Sequence, residues 1–297
     1  MTTESRRFPF TQFDVFSSQP LEGNQLAIVS DARGLTDKQM QAIAREMNLS
    51  ETTFVFPRDA QIESDRGVRV RIFTVEEELP FAGHPTLGTA FCLRGSTNAA
   101  EVNLELNVGK VPVRFEERLG EPAFGEMTQI DPMFGTMHVL GDIARASGVP
   151  IEDIDSSLPI QTISTGVPFT IVPLRGLQAM SRLQVNYKSS ADYLNRTGGK
   201  FFYFVSRETF DKSARLHARM MFYNGEDPAT GSASGCASAW MVANGVAQSD
   251  ERVLIEQGVE MKRPSRIFVR ATRKGNGVVN VRVGGNVVEV LRGEIFF

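Results

Sequence analysis

Residues 223–240 read Tyr223-Asn-Gly-Glu-Asp-Pro-Ala-Thr-Gly-Ser-Ala-Ser-Gly-Cys-Ala-Ser-Ala-Trp240. The order is the end of a strand, a tight acidic turn, and then a helix made almost wholly of small residues. Pro228 pushes the residue ahead of it, Asp227, out of helical geometry. Thr230, Gly231 and Ser232 follow where a helix begins, and the first N–H groups of a helix have no intrahelical partner. A glycine-led start without bulky side chains suits an anion. Asn244-Gly245 supplies a C-terminal stop.

A second stretch runs Arg71-Ile-Phe-Thr-Val-Glu-Glu-Glu-Leu-Pro-Phe-Ala-Gly-His-Pro-Thr-Leu-Gly88. Laying Arg71 on Arg219 without gaps also lays Glu78 on Glu226, Pro80 on Pro228 and Gly83 on Gly231. The displacement is about half of the 297-residue chain, which reads as a two-fold internal duplication. Gly23-Asn-Gln-Leu-Ala-Ile-Val29 against Gly166-Val-Pro-Phe-Thr-Ile-Val172 extends it at a slightly different offset. Each half then carries one strand–Gly–helix element, and the two are expected to face one another across a cleft. The alternative is two unrelated turns with chance identities.

The length suits two domains of ordinary size. A 41% hydrophobic and 23% charged composition is that of a soluble globular protein. Net charge is −3, which implies no general attraction to nucleic acid or to an anionic membrane. No apolar run approaches a membrane span, and Met1 to Phe10 is polar. Two cysteines, Cys92 and Cys236, make no disulfide framework. A cytoplasmic location follows as the expectation.

Elsewhere the pattern places a strand at Phe10–Phe16 and another at Gln25–Val29. Thr36 caps a helix, with Gln39 completing a capping box and Met40, Ile43, Ala44 and Met47 on one face. A strand enters through Ser50-Glu51 and runs to Phe56, and Val68–Phe73 leads into the Gly83 turn. A hairpin turns at Asn107-Val-Gly109. Glu116 to Phe134, with Gly120, Pro122 and Gly125, is the candidate crossover between halves. A helix is expected near Met137–Ala146, and Val253–Phe297 reads as strand after strand.

Metal chemistry finds no support, since His84, His138 and His217 are far apart and no ligand spacing such as HExxH or paired CxxC occurs. Gly231-Ser-Ala-Ser-Gly235 has Ala233 where a nucleophile elbow needs serine. Acid–base chemistry remains. Glu51 sits at a helix–strand junction from which a side chain can reach a cleft, although on that feature alone a solvated surface carboxylate is the commoner assignment. His84 follows Gly83 at a helix N-terminus, where the dipole favours a neutral imidazole. It reads equally as a first-turn cap. Asp227 reads as an Asp-Pro turn residue bonded to backbone amides, and Cys236 as packed apolar volume.

Phe13-Asp-Val-Phe16, Gly23-Asn24, Asn48-Leu-Ser-Glu-Thr-Thr-Phe54, Gly83-His-Pro-Thr-Leu-Gly-Thr-Ala90 and Glu226-Asp-Pro-Ala-Thr-Gly-Ser-Ala233 together resemble the PhzF-like phenazine-biosynthesis family of the diaminopimelate epimerase superfamily. The resemblance implies an α+β fold of two pseudo-symmetric domains, each a curved mixed β-sheet wrapped around a central α-helix. The expected division is 1–120, joined by the last strands 284–297, and 130–283. It further implies a cofactor-independent isomerase, commonly a homodimer, acting on a small carboxylate-bearing molecule, with a dihydro-hydroxyanthranilate as the family's named substrate. By the same resemblance Glu51 carries the proton and His84 and Asp227 orient substrate and tune Glu51. Gly83, Gly231 and Ser232 would bind the substrate carboxylate, with Asn24 nearby. The superfamily's amino-acid epimerases carry a thiol at each helix start. This chain has Gly83-His84 and Gly231-Ser232 there instead, so a single-carboxylate shuttle fits better than two-thiol racemisation. A non-catalytic carboxylate-binding protein, or a lyase using the same glutamate, are the alternatives.

Overall fold

The structure is a computed structural model, and it describes residues 6–117, 122–222 and 225–296. Tyr223 and Asn224 of the first stretch, and Gly120 of the expected crossover, lie outside the described residues. The chain divides into two compact units, Met1–Met127 with Gly285–Phe297, and Thr128–Gly284.

In the first unit β1 (Arg7–Val15) pairs antiparallel with β2 (Asn24–Val29) and with the C-terminal strand Val287–Phe296. Gly23 makes the first turn possible. Its φ is +70°, and a Cβ there would sit 2.4 Å from the Val15 carbonyl oxygen. A parallel neighbour needs a crossover, and α1 (Asp37–Met47) supplies it between β2 and the parallel β3 (Glu51–Phe56). The expected capping box is present, the Thr36 side chain accepting from the Gln39 amide while Gln39 accepts from the Thr36 amide. Met40, Ile43 and Ala44 of α1 pack with Phe54, Phe73 and Phe8. After α2 (Ala60–Arg66), which the sequence pattern did not suggest, β4 (Val68–Phe73) pairs antiparallel with β3. The short β5 (Glu78–Leu79) folds back on β4, and α3 (Gly83–Arg94) crosses over to β6 (Glu101–Leu106), parallel to β4. The hairpin partner β7 (Gly109–Glu116) and then β8 (Phe124–Thr128) complete the unit.

α3 touches β1, β2, β3, β6, β7 and the C-terminal strand, so the sheet wraps it. It is buried on every side from Gly83 to Ala90, which is why it lacks an amphipathic stripe. Gly88 lets it approach so closely: a Cβ would lie 2.6 Å from Leu26 Cδ2 and 2.8 Å from Val15 Cγ2.

The second unit opens with β9 (Met133–Met137), antiparallel to β10 (Gln161–Ser164), with α4 (Leu140–Ser147) between them in the chain. The expected crossover therefore holds strand β8 and the first part of β9. Met137 ends a strand rather than opening a helix, because its amide region pairs with Gln161 before the turn into α4. β11 (Pro168–Leu174) is antiparallel to β10. α5 (Leu177–Ser181) and α6 (Tyr187–Thr197) cross over to the parallel β12 (Phe201–Ser206). β13 (Ala214–Phe222) follows antiparallel, then the short β14 (Gly225–Asp227) folds back on it. α7 (Gly231–Ala243) crosses to β15 (Val253–Gln257), parallel to β13, and β16 (Ser265–Lys274) and β17 (Gly277–Gly285) close the order.

From β1 and from β10 the pairings run in the same succession: antiparallel, parallel, antiparallel, a short fold-back strand, then helix, parallel, antiparallel. The aligned residues also pair alike. Arg71 Nε donates to Glu78 at 2.8 Å and Arg219 Nε to Glu226 at 2.8 Å, each with a second parallel bond. The fold is thus α+β and internally duplicated. α7 is buried from Gly231 to Val242 and touches β10, β11 and β16. Its Trp240 is fully buried, with the indole N–H given to the Pro159 carbonyl at 3.0 Å. Among the described residues no helix is long and apolar enough to cross a membrane.

Candidate active site

The first unit brings Asn24, Glu51 and His84 together. Asn24 is the first residue of β2, set by the Gly23 turn. Asn48 ends α1 in the left-handed conformation, φ 50°, and the chain reverses so that Glu51 becomes the first residue of β3. The parallel register then seats Glu51 opposite Leu26. His84 is the second residue of α3, and α3 is fastened to β3 by a hydroxyl pair, Thr53 to Thr89, at 3.0 Å.

All three side chains are buried. The Asn24 amide nitrogen lies 3.2 Å from His84 Nδ1, and Glu51 Oε2 lies 3.6 Å from the same nitrogen. Burial drives the His84 pKa down to about 3, against a smaller opposing pull from a backbone hydrogen bond with Gln25. The imidazole is therefore neutral at pH 7. The cause is loss of hydration rather than the helix dipole alone. His84 Nε2 is buried with no hydrogen-bond partner among the described residues. An orphaned buried nitrogen of that kind is costly unless a ligand meets it. Glu51 is not the solvated surface carboxylate that its sequence position first suggests.

The second unit gathers Asp227, Gly231 and Ser232. Asp227 is buried and ends β14, so the acidic turn is a short strand rather than an open loop. The Thr230 hydroxyl donates to Asp227 Oδ2 at 2.5 Å. The Gly231 carbonyl accepts from the Gln129 side-chain amide at 3.1 Å, which anchors the first turn of α7. Neither α3 nor α7 has a side-chain cap: Ala82 cannot provide one, and Thr230 spends its hydroxyl on Asp227. Both first turns keep N–H groups without a capping side chain.

Sequence reasoning did not single out Gln257, which is fully buried and bonds both to the Asp227 carbonyl, at 2.7 Å, and to the Thr230 hydroxyl, at 2.9 Å. Its signal was faint, a polar pair, Glu256-Gln257, that ends the strand run Val253-Leu-Ile before Gly258. Cys92 and Cys236 lie further along their helices, and burial pushes each thiol up to about 11. Other depressions lie away from these residues. One of about 500 Å³ in the first unit is lined by Phe10, Met47, Ile295 and Phe296 with Glu46 and Glu294, which does not suit a carboxylate. One of about 410 Å³ in the second unit matches Arg145 and Arg196 against Asp142 and Asp192, leaving no excess of positive charge.

The family model described as phenazine biosynthesis-like protein matches residues 13–293. An uncharacterized isomerase of Mesorhizobium japonicum is 36% identical over 96% of this chain and 97% of its own. The trans-2,3-dihydro-3-hydroxyanthranilate isomerase of Pseudomonas chlororaphis is 35% identical over 95% of this chain and 97% of its own. Among solved structures, a PhzF-family phenazine biosynthesis protein of Bacillus anthracis superposes with a TM-score of 0.87 at 28% identity, covering 98% of this chain and 100% of that one. A probable proline racemase of Agrobacterium radiobacter, at 11% identity and TM-score 0.69 over 97% of this chain and 92% of that one, shares the fold alone. The architecture is the diaminopimelate epimerase-like one. On the match over most of its length, the chain belongs to the phenazine biosynthesis-like (PhzC-PhzF) protein family and is an isomerase.

Proposed function

We propose that this isomerase moves a proton, and with it a double bond, within a small carboxylate-bearing molecule by way of Glu51 alone, without a cofactor. The observation that carries the proposal is the buried Glu51 carboxylate 3.6 Å from an imidazole that stays neutral. A neutral His84 does not compete for the migrating proton near pH 7, and its Nε2 is available to a substrate polar group. Glu51 takes a proton from a carbon made acidic by neighbouring unsaturation. The electron pair of the broken C–H bond shifts the double bond, and Glu51 returns the proton at another carbon on the same face. General acid–base catalysis of this kind supplies roughly 10²–10⁴-fold, the rest coming from positioning and electrostatics.

In this reading the amide at Gly83 in the first unit, and those at Gly231 and Ser232 in the second, are each suited to a carboxylate, with Asn24 orienting His84 and Asp227 orienting the substrate. The uncapped first turns of α3 and α7 support it. The raised cysteine pKa values weigh against thiol acid–base chemistry. Relatives named trans-2,3-dihydro-3-hydroxyanthranilate isomerase make that compound the first to test. Product analysis by NMR and mass spectrometry separates the outcomes. An isomer of unchanged mass supports the proposal; loss of water points to a lyase, and unchanged starting material with thermal stabilisation points to a binding protein.

We also propose a homodimer in the cytoplasm. β9 is exposed along its whole length, and with Ile130 and Val139 it offers Met133, Phe134 and Met137 to solvent. Apolar side chains exposed along one short strand and its flanks are the kind of surface that a second copy can cover. Light scattering on Met133→Glu should show a monomer where the unaltered chain is a dimer. A dimer that persists in the variant removes β9 from the interface.

A further inference from the structure

We propose that Gln257 is the residue that positions Asp227, acting through the hydroxyl of Thr230; this rests on the reading of Asp227 as a substrate-orienting group. The direction of the relay follows from one unambiguous donor. The Thr230 backbone N–H gives its hydrogen to Gln257 Oε1 at 3.1 Å, which fixes the amide's orientation and makes Nε2 the donating end. Nε2 then donates to the Asp227 carbonyl at 2.7 Å and to Thr230 Oγ1 at 2.9 Å. Because Thr230 Oγ1 accepts from Gln257, its single hydrogen points to Asp227 Oδ2, 2.5 Å away.

Oε1 of Gln257 also accepts from the Tyr203 hydroxyl at 3.1 Å, and the Ser234 hydroxyl lies 3.0 Å from the same Tyr203 oxygen. Burial raises the Tyr203 pKa, so the phenol keeps its hydrogen and donates. Every donor and acceptor of the Gln257 amide is in use, and the run Ser234, Tyr203, Gln257, Thr230 ends on Asp227. Hydrogen bonds in series polarise one another in a buried site. The backbone is clamped at the same place. The Ser265 hydroxyl donates to the Pro228 carbonyl at 2.9 Å, and a Cβ at Gly258, φ +78°, would fall 2.5 Å from that carbonyl. The carboxylate of Asp227 is thus held by Thr230 of its own turn, and the hydroxyl of Thr230 is oriented from strand β15.

The test uses the full chain and Gln257→Glu, Thr230→Val and Thr230→Ser. Glutamate at 257 turns the Thr230 hydrogen toward itself and away from Asp227, and valine removes it. The first readout is the ¹³C chemical shift of the Asp227 carboxyl at pH 7, assigned by its loss in Asp227→Asn. It should move in Gln257→Glu and Thr230→Val and return in Thr230→Ser. With trans-2,3-dihydro-3-hydroxyanthranilate, kcat should fall about tenfold or more in the first two variants, KM should stay within about threefold, and Thr230→Ser should recover turnover. An unmoved Asp227 resonance in folded Gln257→Glu or Thr230→Val overturns the relay. If the resonance moves but Asp227→Asn keeps full turnover, the relay stands and the role assigned to Asp227 fails.

Discussion

Glu51 Oε2 lies 3.6 Å from His84 Nδ1, with both side chains buried and the imidazole neutral. A carboxylate beside a histidine usually makes an ion pair by raising the histidine pKa. Here desolvation wins, and the histidine becomes a polar but uncharged neighbour. That relationship sets the chemistry proposed for the site and has a measurable consequence for stability.

His84 has an ordinary pKa of 6.5 when unfolded and about 3 when folded. The folded state therefore binds fewer protons than the unfolded state between those values. Stability is full above pH 6.5 and falls as the pH is lowered toward 3. Urea unfolding of the unaltered chain between pH 6 and pH 4 should lose up to about 1.4 kcal/mol per pH unit more than His84→Asn does. Equal slopes would mean that the imidazole titrates normally in the folded protein.

The two thiols are expected to be spectators. Burial holds both near 11, so the thiolate is scarce at pH 7. A Cys92→Ala/Cys236→Ala variant should keep kcat/KM within about threefold, because a packed thiol contributes volume rather than chemistry. Loss of turnover with the fold intact would return a thiol to the mechanism.

The duplicated Arg–Glu pairs should differ in what they contribute. Arg219 is 9% exposed against Glu226 at 12%, whereas Arg71 and Glu78 are at 20% and 25%. Removing one partner of the more buried pair strands a charge, so Arg219→Met should cost about 3 kcal/mol and Arg71→Met about 1 kcal/mol. Calorimetry on the two variants gives the comparison. A larger loss from Arg71→Met would contradict it.

Local signals carried much of the fold. The capping box at Thr36, the alternation of Val68–Phe73 and the glycine-led starts at Gly83 and Gly231 each appear where pattern and turn chemistry put them. α2 was illegible because it buries no residue and so has no apolar face to read. β8 and the first part of β9 were hidden in the expected crossover, since Pro122 and Gly125 look like breakers until pairing partners are known. At the site, residue types announced His84 and Asp227 as candidates. The burial of Glu51 depends on β2, β3 and α3 meeting, and the Gln257 relay depends on a residue far along the chain from Thr230. Neither is encoded in local spacing.

The proton shuttle is tested most directly in deuterium oxide, with trans-2,3-dihydro-3-hydroxyanthranilate and with the unaltered chain beside Glu51→Gln. The unaltered chain should give an isomer that carries solvent deuterium at the carbon receiving the proton. Glu51→Gln keeps the shape of the side chain and removes the base, so turnover should fall by roughly 10²–10⁴ with no deuterium in the recovered compound. Turnover and deuterium uptake by Glu51→Gln at the level of the unaltered chain would contradict the account.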